Sequence, residues 1–160
     1  MAAPKYQPIE NQDIPSVDIP GGAGSVRVIA GSFGGTTGPA SVHSPVDLWD
    51  VTLPKEGAVA DFTFPPEHNC IVFVRRGEVD ILTGEEDDEA ADPLGPQDVA
   101  LMERQGDTVR IRAAADDTSL LILGGMPLEE PIAARGPFVM NTPEELMQAN
   151  MDYRSGNFGR

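Results

Sequence analysis

The constraint that most limits this chain is a recurrence of short alternating segments, each four to eight residues long and each closed by turn residues. The series runs "SVRVIA" (25–30), "LWDVTL" (48–53), "AVADFTF" (58–64), "CIVFVR" (70–75), "EVDIL" (78–82), "DVALME" (98–103), "DTVRIRA" (107–113) and "TSLLIL" (118–123). In "TVRIRA", Val109, Ile111 and Ala113 fall on one side and Arg110 and Arg112 on the other, the period-2 pattern of a half-buried strand. With 17 Gly and 15 Pro to supply turns, eight such strands predict an all-β sandwich or jelly roll rather than a helical bundle. The dipeptide "RG" between 70–75 and 78–82 reads as a hairpin turn. Residues 1–24, ending in "DIPSVDIPGGAG", read as an extended arm or linker. "EEDDEAAD" (85–92) reads as a solvated acidic loop between strands.

One helix is signalled, at 141–156. Thr142 and Glu145 fit a capping box, Pro143 suits N1, and Gly156 fits the left-handed residue that ends a helix. The predicted organisation is an arm at 1–24, a β-barrel at 25–140, and a C-terminal helix and tail at 141–160 that packs on the barrel or on a partner.

Composition excludes several functions. The net charge is −15, from 11 basic and 26 acidic residues, which argues against a nucleic-acid partner because phosphate contacts need Lys and Arg. No apolar run approaches membrane-spanning length and no basic amphipathic helix suggests a membrane surface. The N-terminus lacks an apolar signal region, and a single Cys allows no internal disulfide. The expected location is cytoplasmic, with a nuclear one also compatible. The Gly-rich stretch 21–40 carries no Lys for a P-loop and no strand-to-helix fingerprint, so its glycines read as turns. No G-x-S-x-G elbow is present. His43, in "ASVHSPVD", reads as a structural group. Cys70 reads as a small buried hydrophobe. "PPEHNC" (65–70) sets His68 near Cys70, a pair that supplies two metal ligands at most.

The C-terminal stretch "GGMPLEEPIAARGPFVMNTPEELMQANMDYRSGNFG" (124–159) closely resembles the end of pirin-family proteins, with its "PLEEP", its "GPFVMN" and its closing helix. "VRVIAGSFGGTTGPA", "HSPVDLWDVTLPKEG" and "IVFVRRGEVDI" are similar to earlier pirin segments, so the likeness extends from about residue 5 to residue 159. The resemblance implies a single cupin-type jelly-roll β-barrel. Pirins carry two cupins, and the iron and any quercetin 2,3-dioxygenase activity belong to the N-terminal one. This chain resembles the C-terminal cupin, and Met1 stands where the family leaves its first domain.

The resemblance also tests the metal idea. Setting Gly77 on the Gly of the first cupin motif places Cys70 where that motif has Glu. Its two His positions then fall near Phe64 and Pro66, and the second motif's His falls near Val109. His68 matches none of them. The expectation is no catalytic residue, no cofactor and no metal in this chain, with His68 and Cys70 as the residual metal candidates. Small-molecule binding in the mouth of the barrel, with "FTFPPEHN" (62–69) as part of the wall, is a third function beside two that follow from the resemblance. One is a protein-interaction or regulatory module, which self-associates or binds a transcription-related protein. The other is half of a split quercetin 2,3-dioxygenase that needs a separate metal-binding cupin.

Overall fold

The computed structural model describes residues 5–82 and 93–159; the acidic stretch 85–92 lies outside them. The chain forms two compact units, Gln7–Pro127 and Met1–Tyr6 with Leu128–Arg160.

The larger unit holds strands β1 (Ser16–Asp18), β2 (Ser25–Ala30), β3 (Ser32–Phe33), β4 (Thr36–Thr37), β5 (Val46–Leu53), β6 (Val59–Thr63), β7 (Asn69–Arg76), β8 (Val79–Leu82), β9 (Val99–Leu101), β10 (Thr108–Ala113) and β11 (Thr118–Gly125). They make a six-stranded sheet of order β1-β2-β5-β11-β7-β9 and a three-stranded sheet of order β6-β10-β8, all pairs antiparallel. This is the mixed-order jelly roll that the eight alternating segments predict, and every one of those segments contains a strand. Their alternation points Val26, Val28, Trp49, Val51, Val72 and Val74 from the large sheet into the core. From the small sheet come Phe62, Val79, Val109 and Ile111.

Two elements depart from the sequence reading, and a third, the Gly-rich stretch, forms a turn as its glycines predict. The "RG" turn does not make a hairpin. β7 pairs β11 and β9, whereas β8 pairs β10, so Gly77 carries the chain from one sheet to the other. Gly77 sits at φ +77, and a Cβ there would lie 2.3 Å from Thr118 Oγ1, which leaves Gly as the residue that fits. The stretch read as an arm contributes β1, and Ile19 enters the core at 3 % exposure. Gln7 fastens its start: the side-chain oxygen accepts from Ser41 N and Oγ at 2.8 and 2.9 Å, and Nε2 donates to Pro39 O at 2.8 Å. Lastly, "SFGGTT" closes the small β3–β4 hairpin on Gly34 and Gly35, both at positive φ, as a two-residue primed turn requires.

On the outer face of the small sheet, Arg110 stands opposite Asp61 and Arg112 opposite Asp80 in strand register. Arg110 reaches Asp61 with Nε and Nη2 at 2.7 and 3.0 Å, and Arg112 reaches Asp80 at 2.9 Å. These cross-strand pairs satisfy the polar half of the period-2 pattern.

The smaller unit contains hairpin β12 (Ala133–Arg135) and β13 (Phe138–Met140) followed by helix α1 (Pro143–Ser155). The cap forms as expected: Thr142 Oγ1 accepts from Glu145 N at 3.2 Å, and Glu145 Oε2 accepts from Thr142 N at 3.1 Å. Gly156 ends the helix at φ +75. Phe138, Tyr153 and Phe158 cluster with ring centroids 5.3 to 6.4 Å apart. Helix α1 is too short to cross a membrane, and no other described helix is long and apolar enough.

Candidate functional site

The turn "PPEH" determines where His68 points. His68 N donates to Pro65 O at 3.3 Å, which closes a four-residue turn with Pro66 at its second position and Glu67 at its third, at φ +68. Proline favours the second position of a type II turn. The third requires positive φ and is usually glycine. A glutamate there costs about 1 kcal/mol of backbone strain. The chain then enters β7 with Cys70 facing inward, and Met102 N donates to Cys70 O at 2.9 Å as β9 ends.

These elements open a cavity of about 400 Å³ at one end of the larger unit. Phe64, Cys70, Ile81, Met102 and Val109 form much of its wall, and His68, Glu103 and Asp107 are among its polar lining residues. Phe64 lies against Gly124, where a Cβ would come 2.6 Å from two ring carbons, and it stacks on Trp49 with centroids 4.8 Å apart. His68 Nδ1 is buried and has no hydrogen-bond partner, and Trp49 Nε1 is in the same condition. Leaving such an atom unsatisfied costs about 1–3 kcal/mol. His68 also has Asp47 near enough to feel its charge. Burial pushes the Asp47 carboxyl above its ordinary value of 3.8, opposed by the Ser32 N–H it accepts and by His68.

The sequence candidates therefore separate. His43 is exposed in the loop before β5, away from this cavity. His68 and Cys70 do share the cavity, together with Phe64 and Val109, two of the positions that the cupin motifs would give to metal ligands. The donors present do not suit iron. Burial pushes the Cys70 thiol up to about 11, which favours the thiol over the thiolate that binds metals. Phe64 and Val109 offer carbon only. Among the described residues no three His, Cys, Asp or Glu side chains converge closely enough to hold a metal ion.

A second feature was missed by sequence reasoning. The outward side of the six-stranded sheet is apolar along two register rows. One row carries Leu121, Phe73 and Val99, and the next carries Leu48, Leu123, Ile71 and Leu101. Val99 is 58 % exposed, Leu101 73 % and Leu123 36 %. Asp50, in the first row, is buried beneath Arg27 (3.2 Å) and Arg75, which bound the apolar area at one end. The signal lay in segments such as "CIVFV" and "SLLIL", where both parities are apolar. In a sheet covered on one side only, such runs leave one set of side chains facing out.

The family profile of the pirin C-terminal cupin domain matches residues 48–159. Over its whole length the chain is 42 % identical to 52 % of a Pseudomonas aeruginosa protein provisionally named a quercetin 2,3-dioxygenase. It is 37 % identical to a Caulobacter vibrioides pirin-like protein, over 99 % of this chain and 54 % of that protein. A solved structure of quercetin 2,3-dioxygenase from Acinetobacter baumannii superposes with a TM-score of 0.84 at 37 % identity, covering 97 % of this chain and 51 % of that one. The chain thus spans about half the length of the relatives it matches. With the jelly roll and the matched residues agreeing, this chain belongs to the pirin family through its C-terminal cupin domain.

Proposed function

We propose that this chain is a protein-binding cupin that performs no chemistry alone and seats a second cupin domain on the outer face of its six-stranded sheet. The apolar rows Leu121–Phe73–Val99 and Leu48–Leu123–Ile71–Leu101 carry this reading. Contiguous apolar surface of this kind is uncommon on a monomer and marks association. The occupant we propose is a metal-binding cupin, as the family resemblance implies; that the matched relatives are about twice as long as the stretch this chain covers supports it. In that arrangement this domain completes a quercetin 2,3-dioxygenase by shape and burial, while the metal chemistry sits in the partner.

The test uses the half of the Acinetobacter baumannii enzyme that this chain does not match, expressed separately. Size exclusion with light scattering should give a one-to-one complex. Val99→Asp with Leu101→Asp should abolish it and leave the melting curve of this chain in place, since both side chains are well exposed on the edge strand β9. A complex indifferent to that double substitution refutes the surface. If this chain instead pairs only with itself through the same residues, self-association replaces the two-cupin reading. Flavonol turnover by the complex but by neither part would support the split-dioxygenase form.

A further inference from the structure

We propose that the groove between helix α1 and strand β12 of the smaller unit docks an acidic amphipathic peptide segment of another protein, with its apolar side on Met147 and Met151 and its carboxylates on Arg135 and Arg154. The groove lies within that unit and is independent of what docks on the outer sheet face.

The groove has a volume of about 560 Å³, and its apolar lining comes chiefly from Ala134, Leu146, Met147 and Met151. Met147 is 63 % exposed and Met151 52 %, one turn apart on α1, whose buried residue is Ala149. The helix thus packs one side inward and leaves a second apolar stripe open. Flexible, unbranched methionines suit a surface that moulds itself to a partner helix. Charge then selects the partner. Arg27, Arg75, Arg110 and Arg112 each bond to an aspartate, Arg76 to a carbonyl and Arg104 to an asparagine. The other described arginines, Arg135 and Arg154, bond to no described residue, and both line this groove. Glu144, Glu145 and Asp152 of the same helix are not among its described lining residues. In a chain of 26 acidic and 11 basic residues, two unpaired cations in one apolar groove, with no acid lining it, are the exception. Arg154 also suits the C-terminal end of the helix dipole, but Arg135, at the end of β12, has no such role. The same net charge disfavours an anionic lipid surface, which would repel the rest of the chain, whereas a short acidic segment meets the groove alone.

Two synthetic peptides about three helical turns long make the test, titrated calorimetrically into the full chain. One carries leucines on one side bordered by glutamates; the other has glutamine in place of each glutamate. The acidic peptide should bind about fivefold more tightly, as two exposed ion pairs allow, and should lose that advantage at high salt. Arg135→Gln with Arg154→Gln should bring it down to the affinity of the glutamine peptide. Met147→Gln with Met151→Gln should weaken both peptides alike. All four side chains are exposed, so the melting curve should stay in place in both variants. Equal or undetectable binding of the two peptides overturns the proposal, as does an acidic-peptide affinity unchanged by the arginine substitutions. Binding to phosphatidylserine vesicles through Arg135 and Arg154 overturns it in favour of a lipid surface. A dimer seen by light scattering and lost in the methionine variant overturns it in favour of a second copy of this chain.

Discussion

Gly124→Ala tests the packing that shapes the cavity. Gly124 lies on β11 between β5 and β7, paired with Asp47 and Cys70, and its missing side chain makes room for Phe64. An added methyl would sit 2.6 Å from Cδ1 and Cε1 of that ring. Carbon pairs rest at about 3.5–4.0 Å, so the ring must retreat by about 1 Å. It cannot do so without disturbing Trp49, stacked behind it at 4.8 Å. Overpacking of this kind costs about 1–3 kcal/mol. Denaturant melts followed by the sole tryptophan should show that loss together with a changed native emission spectrum. Phe64→Ala alone, which opens a hole, should cost about 3–5 kcal/mol. In the double variant the new methyl meets no ring, so the two losses should fall short of additivity by about 1 kcal/mol or more. Additive losses with unchanged native fluorescence would refute the account of Gly124 as the seat of Phe64.

Thr142→Ala removes the acceptor for Glu145 N and should lower stability by about 1 kcal/mol in urea melts. Glu67→Gly relieves the left-handed strain and, after the added freedom of the unfolded chain, should stabilise by about 0.5 kcal/mol; Glu67→Val should destabilise. Asp47 is pushed up by burial, so its ionisation weakens the fold: the contribution of this one group is most favourable below 3.8 and is lost as pH rises through the elevated value. Asp47→Asn, whose side-chain oxygen still accepts from Ser32 N, should therefore raise the melting temperature at neutral pH and give no gain below pH 3.8.

Much of the fold was legible because period-2 alternation is a local property. Val109, Ile111 and Ala113 turn inward and Arg110 and Arg112 outward as their spacing dictates, and the cap at Thr142 needs only neighbours in sequence. Sheet membership is not local. Nothing in "VRRGEV" says that Gly77 leaves one sheet for another, because that depends on where Thr118 packs. The arm misled for a related reason: Pro- and Gly-rich composition hides a three-residue edge strand whose partner, β2, supplies the register. Of the site, the positions Phe64, Cys70 and Val109 could be named in advance through the family motif. The part of the wall in 62–69 was also foreseen as a barrel mouth, but its closure by Ile81, Met102 and Val109 depends on contacts across the two sheets and is not local.

The two candidate surfaces come from one rule applied to opposite sides of the same strands. In β7, Cys70, Val72 and Val74 face inward, and the first of them reaches the cavity; Ile71 and Phe73 face outward and build the apolar rows. A strand that is apolar on both sides has a use for both, and that doubled pattern distinguishes β7 and β11 from β10, whose outer side is filled by paired arginines. Carbon-bearing residues at motif positions then have a physical consequence beyond the loss of donors. With Phe64 and Val109 in the wall, the cavity presents carbon where the motif would present metal donors. The outer face carries the leucine rows on which we propose that a second domain docks. Slipping either strand by one residue would exchange the two sets, so the register holds both surfaces in place together.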